Sequence, residues 1–157
     1  MSQSNAYQFE DDPSALLEEA DALSRTSLRG ALDLADKALD LATKKENSDQ
    51  INDVLSLRAQ FHAQLGQYSE GIADSERALA GYGAAGNERG RASVLNTLGI
   101  IKENSGDYTE SFKLQTECLE ILRQMDSPAS LAQVASNIGL TCTYLGDWNQ
   151  AVQFYRE

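Results

Sequence analysis

His62 is the single histidine of this 157-residue chain, and Cys118 and Cys142 are its two cysteines. These residue types serve best as bases, nucleophiles or metal ligands, yet their spacing supports none of those roles. A metal site draws its ligands from closely spaced sets, and one histidine with two distant cysteines does not supply one. Carboxylate pairs stand at Asp11-Asp12 and Glu18-Glu19. They suit helix starts and solvated faces better than a paired acid and base. The stretch "GYGAAGNERG", Gly81 to Gly90, is glycine-rich. No strand leads into it and no Lys-Ser/Thr follows, so a phosphate cradle is not expected and the stretch reads as a loose linker between helices. No catalytic residue, metal or cofactor is assigned, and the chain is expected not to be an enzyme. The chemistry that remains is recognition by amides and hydroxyls. Asn and Gln each offer a donor and an acceptor, which suits the backbone of an extended ligand.

Composition narrows the partners. The net charge is -11, distributed as -6 over residues 1–50, -1 over 51–100 and -4 over 101–157. With no Lys/Arg cluster, nucleic acid and anionic membrane surfaces are not expected partners. The N-terminus "MSQSNAYQFEDDPSALL" has neither a basic nor an apolar signal region, and no apolar run approaches 18 residues. A reduced cytoplasmic location fits these features.

The elements that must carry any site are helices. Proline occurs only at Pro13 and Pro128, and Ala, Leu, Gln and Glu are abundant. Apolar residues recur at three- and four-residue steps, as in Val94, Leu95, Leu98 and Ile101. The helices also repeat. Gly66 precedes Tyr68, Gly106 precedes Tyr108 and Gly146 precedes Trp148, at intervals of 40 residues. Small residues fall seven before each glycine (Ala59, Gly99, Gly139) and five after it (Gly71, Ser111, Ala151). Ala38-Leu39, Ala78-Leu79 and Cys118-Leu119 form a further column, so Cys118 reads as a small core residue. Cys142 shares a column with His62 and Lys102, a half-buried packing position.

One unit is therefore a helix, a glycine-closed turn and a second helix. Asp107 and Asp147 are expected N-caps, as are Asp12 and Ser127 before their prolines, and Ser48 and Asn87 elsewhere. Tyr68, Tyr108 and Trp148 are placed to plug the corner between the two helices. The earliest copy has Thr26 where the glycine falls, with a turn expected to differ by one residue in length.

On these columns the chain resembles the tetratricopeptide repeat family over residues 13–157. At 40 residues rather than about 34, the unit is similar to the long-repeat subclass. The resemblance implies an all-α, right-handed solenoid of antiparallel helix pairs. Residues 1–12 form an N-terminal tail, and the repeats fall at about 13–47, 48–86, 87–126 and 127–157, the last incomplete. It further implies a protein-protein interaction module that holds a peptide or partner helix against the first helix of each repeat. The expected binding residues are Ser56, Gln60, Asn96, Ile100, Glu103, Ser136, Asn137, Leu140 and Tyr144. Leu17, Asp21, Arg25, Ala63, Gln64, Ser93, Thr97, Gln133 and Thr143 share that face. Lys and Arg are nearly absent from it, which argues against the carboxylate clamp of chaperone adaptors and for a neutral to basic partner.

The last helix, expected from about Asn149 to Glu157, carries Ala151, Val152, Phe154 and Tyr155 with no following unit. The expectation is a piece of a longer array, with possible self-association through that face. An alternative role is a regulatory or sensory input domain for a bacterial signalling enzyme or transcription regulator.

Overall fold

The computed structural model describes residues 12–125 and 127–156. Apart from Asp12, the tail assigned to residues 1–12 lies outside the described residues. Eight helices and no strand occur among them: α1 Pro13–Ser24, α2 Leu28–Lys44, α3 Ser48–Gln64, α4 Tyr68–Ala85, α5 Glu88–Asn104, α6 Tyr108–Gln124, α7 Pro128–Tyr144 and α8 Trp148–Phe154. The fold class is all-α, in antiparallel pairs. The chain divides into two compact units, Met1–Tyr82 and Gly83–Glu157.

In the first unit α1 packs on α2 and α3, and α2 packs on α3. The buried stripe of α2 is entirely alanine, at Ala31, Ala35, Ala38 and Ala42, all fully shielded from solvent. Steps of four, three and four keep these residues on one side of a 3.6-residue helix. An alanine buries little area, so this face works by letting backbones approach. Half-buried leucines around it (Leu17, Leu28, Leu32, Leu39) supply most of the apolar area. In the second unit α6 packs between α5 and α7, and α8 packs on α7. Its core is built of larger side chains, with Val94, Leu95, Ile101, Leu119 and Ile138 at most 1% exposed.

The turns follow the sequence closely. Gly66, Gly106 and Gly146 have φ of 73°, 84° and 81°. At each, the glycine N–H and the next N–H reach back to two carbonyls of the ending helix, as Gly66 to Ala63 at 3.2 Å and Gln67 to His62 at 2.9 Å. This pairing consumes carbonyls that a helix end otherwise leaves open. Asp107 and Asp147 cap the following helices through Glu110 N–H and Gln150 N–H. Asp12 and Asn87 cap α1 and α5.

Several expectations need correction. The cap of α3 is Asn47, which accepts from Gln50 N–H at 3.1 Å; Ser48 is the first helical residue. Ser127 occupies the cap position of α7 but makes no capping bond, because its hydroxyl donates to Ser130 Oγ instead. The turn at Thr26 has the length of the others, from Ser24 to Leu28 as from Gln64 to Tyr68. It differs in conformation: Thr26 stays out of the left-handed region, and Ser27 N–H bonds Leu23 O rather than a carbonyl one residue earlier. Gly81 to Ala85 are not a loose linker but the last turn of α4, and only Gly86, at φ 66°, breaks the helix. The last helix is Trp148–Phe154. Trp148 does not plug its corner, being 66% exposed, whereas Tyr68 and Tyr108 are half-buried.

Candidate functional site

Each unit has a cleft along its first helices, built from different chemistry. In the first unit, α1, α3 and the end of α4 enclose a cleft of about 390 Å³. Leu17 and Leu57 give it apolar walls, and Glu18, Asp21 and Asp53 give it three carboxylates. Ser56 and Gln60, both expected binding residues, line it together with Leu17 and Asp21. Ser56 is only 6% exposed. Tyr82 donates its hydroxyl to Asp53 Oδ1 at 2.7 Å. Burial, then the bond to Asp53, pushes the Tyr82 pKa upward and keeps the phenol protonated. Asp53 is thereby fixed at the cleft wall.

The α3–α4 pair also holds an ionic cluster centred on the buried Asp74. Arg58 contacts Asp74 at 2.9 Å and also reaches Asp36 at 2.9 Å. His62 lies beside it, with Nδ1 2.8 Å from Gln67 Oε1 and Nε2 3.7 Å from Asp74 Oδ2. The histidine thus belongs to a structural network inside the helix pair.

In the second unit the face shared by α5 and α7 carries the remaining expected residues. Asn137 Nδ2 donates to Asn96 Oδ1 at 3.3 Å, linking adjacent columns of two successive first helices. Each amide uses one half of its capacity in that bond. Ser136 is exposed and turns its hydroxyl onto Ala132 O. Ile100 is half-buried, and Leu140 is exposed. Two expected residues are engaged elsewhere. Glu103 Oε2 lies 2.6 Å from the Thr141 hydroxyl, in a buried group with Gln115 and Ser111. Tyr144 stacks on Tyr108 with ring centroids 4.7 Å apart. Of the neighbouring positions, Thr97 is buried and bonds Ser93 O, so it presents nothing outward.

Where α5, α6 and α7 meet, this unit has a cleft of about 250 Å³. Arg89, Ser127, Ser130, Leu122 and Met125 line it beside Ser93, Asn96 and Gln133. Arg89 was missed by column matching, which weighs core positions. The available signal was a cation in the first turn of a helix, where the helix dipole opposes it. Cys118 closes the floor, its thiol donating to Ala92 O at 3.1 Å. Burial raises its pKa to about 11, so it stays a neutral packing residue. No group of His, Cys, Asp and Glu among the described residues is arranged to hold a metal ion.

Fold and turns define an all-α protein of the helical-repeat solenoid class. The tetratricopeptide repeat model matches residues 50–124 and 90–157, more than half of the sequence, and the chain belongs to that family. Tetratricopeptide repeat proteins are in general non-enzymatic interaction scaffolds, and this chain is a protein-interaction repeat module. Solved structures share its fold at low identity. A Rap protein complexed with competence and sporulation factor matches with TM-score 0.86 and 17% identity, over 98% of this chain and 42% of that one. BtubC from P. vanneervenii matches with TM-score 0.83 and 20% identity, over 92% and 60%. A signal transduction ATPase with a tetratricopeptide repeat sensor, from Pyrococcus horikoshii, matches with TM-score 0.77 and 16% identity, over 91% and 23%. The chain thus spans less than two thirds of each of these structures. No curated protein sequence matches it. Among the described residues, no helix is long and apolar enough to cross a membrane.

Proposed function

We propose that this chain binds an extended segment or helix of a partner protein along the first helices of its repeats. The contact residues would be Ser56 and Gln60 in the first unit, and Asn96, Ile100, Glu103, Ser136, Asn137, Leu140 and Tyr144 in the second. The repeats of this reading are 13–47, 48–86, 87–126 and 127–157. One observation carries the reading: the Asn137–Asn96 bond leaves Asn96 Nδ2 and Asn137 Oδ1 with no partner among the described residues on a half-buried face. A donor and an acceptor held side by side match one peptide unit of an extended chain. The carboxylates of the first cleft favour a neutral to basic segment. The Rap protein of like fold was solved in complex with competence and sporulation factor, which supports a bound partner for a fold of this kind.

The test is capture of partners by the chain and by its Asn96→Ala and Asn137→Ala variants. Each substitution should weaken capture about tenfold, the worth of one or two well-placed hydrogen bonds. Undiminished capture by both variants would move the contact off this face.

A second reading, an input domain that senses a ligand for an output domain, draws support from the sensor role named for the Pyrococcus protein. Self-association is a further part of the proposal. Leu145, Trp148, Val152 and Tyr155 are 46–66% exposed, and a sedimentation coefficient that rises with concentration is the expected result.

A further inference from the structure

Among the described residues that line the second unit's cleft, one side chain is charged, and that one is a cation. Arg89 is exposed and makes no ion pair with any described residue. Around it stand hydrogen-bond donors with spare capacity. Asn96 keeps its amide N–H groups unpaired, since its bond to Asn137 uses only the oxygen. Ser93 and Gln133 complete the polar wall. Ser127 makes no side-chain cap for α7, and the N–H groups of Ala129 and Ser130 bond no backbone carbonyl of a described residue. The floor is apolar: Ala92, Leu122 and Val134 are buried, and Met125 is half-buried. A cation, several donors and a greasy floor in about 250 Å³ select for one kind of group.

We infer that this cleft binds an aliphatic carboxylate, with its anionic head on Arg89 and the Ser127–Ser130 end of α7 and its hydrocarbon stem over Leu122, Met125 and Val134. A guanidinium holds a carboxylate through charge-assisted bonds, and the donors around it share the remaining oxygen lone pairs. The carboxylate could be a free short-chain acid or an acidic side chain of a protein partner, since both present the same atoms. This site shares Asn96 with the amide reading but takes its charge from Arg89, outside that pair.

The test titrates the full chain with 4-methylpentanoate and with its neutral isostere 4-methylpentanamide, followed by backbone amide NMR. Saturable shifts at Arg89, Ser93, Ser127 and Ala129 to Leu131 are expected with the acid and not with the amide. Arg89→Gln, a surface change that leaves the core intact, should weaken the acid about tenfold. The peptide acetyl-Gly-Leu-Glu-Leu-Gly-amide separates the sources. If it shifts the same resonances in an Arg89-dependent way, a protein partner supplies the carboxylate; if only the free acid does, the ligand is a small acid. Either result supports the site. Equal binding of acid and amide, indifference to Arg89→Gln, or no saturation by either probe would overturn it. Inorganic phosphate binding as tightly as the acid would overturn the role assigned to the apolar floor. Asn137→Ala removes the amide pair but leaves Arg89 and the α7 end in place, so it should weaken acid binding less than Arg89→Gln does, and a failed carboxylate site and a failed amide site give different results.

Discussion

The two units are made from one 40-residue pattern, yet they fill the inside of the helix pair in different ways. The first buries an ion pair, Arg58 with Asp74, beside His62. The second has Leu98 and Leu114 forty residues on from Arg58 and Asp74, and gathers its buried polar groups around Gln115 and Thr141, with the Glu103 carboxylate as their one charged partner among the described residues. The clefts differ in the same spirit: among the described lining residues, the first has three carboxylates and the second has Arg89. Backbone geometry is therefore held by the small residues and glycine turns, while the side chains between them are free to change charge. The repeat fixes where groups stand, and the individual copy decides what they are.

The largest effect expected from breaking this comparison is at Asp74. It is 4% exposed, and Asp74→Ala would leave Arg58 and His62 facing a void. Losing one partner of a buried pair costs about 3–5 kcal/mol. Arg58 keeps Asp36, and its side chain is 20% exposed, so the lower end of that range is expected in urea unfolding. The double change Arg58→Leu with Asp74→Leu copies the residue types of the second unit. It should cost much less than the single change, because a well-packed apolar pair replaces a desolvated ionic one. A double variant as unstable as Asp74→Ala would show that the ion pair, not the packing geometry, holds the first unit together.

Gly99 offers the reciprocal change. A Cβ placed there would stand 2.6 Å from Cγ of Gln115, which is fully buried. Gly99→Ala should destabilise by about 1–3 kcal/mol through overpacking, against the gain of about 1 kcal/mol that alanine brings to a helix interior. The corresponding residues of the first unit are Ala59 and Ser75, a larger residue on one helix and a smaller one on the other. Gly99→Ala with Gln115→Ser should recover part of the loss. Thermal unfolding of the single and the double variant decides it, and a neutral single variant would remove the size argument.

These cases show how much a sequence of this kind discloses. Turns were legible because their cause is local: glycine at 66, 106 and 146 and aspartate at 107 and 147 act on neighbours within a few residues. Columns of small residues were legible because the pattern repeats. The Arg58–Asp74 pair was not, because it joins residues 16 apart across a hairpin, and neither type belongs to the repeat's pattern. The choice of Asn47 over Ser48 was open in the same way, since both types cap helices. Three helices must be in place before Arg89 meets Ser127, so no single window contains that cleft. An aromatic column says that a ring can fill a corner. It does not say whether Glu103 or Tyr144 on the expected binding face will be taken up by Thr141 or Tyr108.

A smaller effect is expected at Glu46, the one non-glycine described residue with positive φ, at 52°. It closes α2 with the same pair of backbone bonds that Gly66 makes, through Glu46 N–H to Thr43 O and Asn47 N–H to Ala42 O. The left-handed conformation costs a residue with a side chain about 1 kcal/mol or more. Glu46→Gly should therefore stabilise the first unit by up to about 1 kcal/mol, net of the extra freedom glycine has when unfolded. Gly66→Ala should destabilise by a similar amount, although nothing lies within 4 Å of its added Cβ. If both changes are neutral, the turns are set by the capping side chains rather than by backbone preference.

The smallest effect should come from Trp148, and its smallness is informative. Trp148 stands 40 residues after Tyr108 and shares its place in the repeat, but not its surroundings. Tyr108 stacks on Tyr144, whereas Trp148 is 66% exposed. Trp148→Ala should change stability by less than about 0.5 kcal/mol, as expected of a surface position. Tyr108→Ala should cost about 1 kcal/mol or more, since it removes both buried area and a stacked pair. Trp148 is also the chain's one tryptophan, so its emission reports its own surroundings. An emission maximum typical of exposed indole in dilute solution, shifting to the blue as concentration rises, is the result expected if copies meet at this face. A maximum already blue-shifted at the lowest concentration, with a large loss of stability in Trp148→Ala, would instead place the ring in the corner that Tyr108 occupies and make the two corners equivalent.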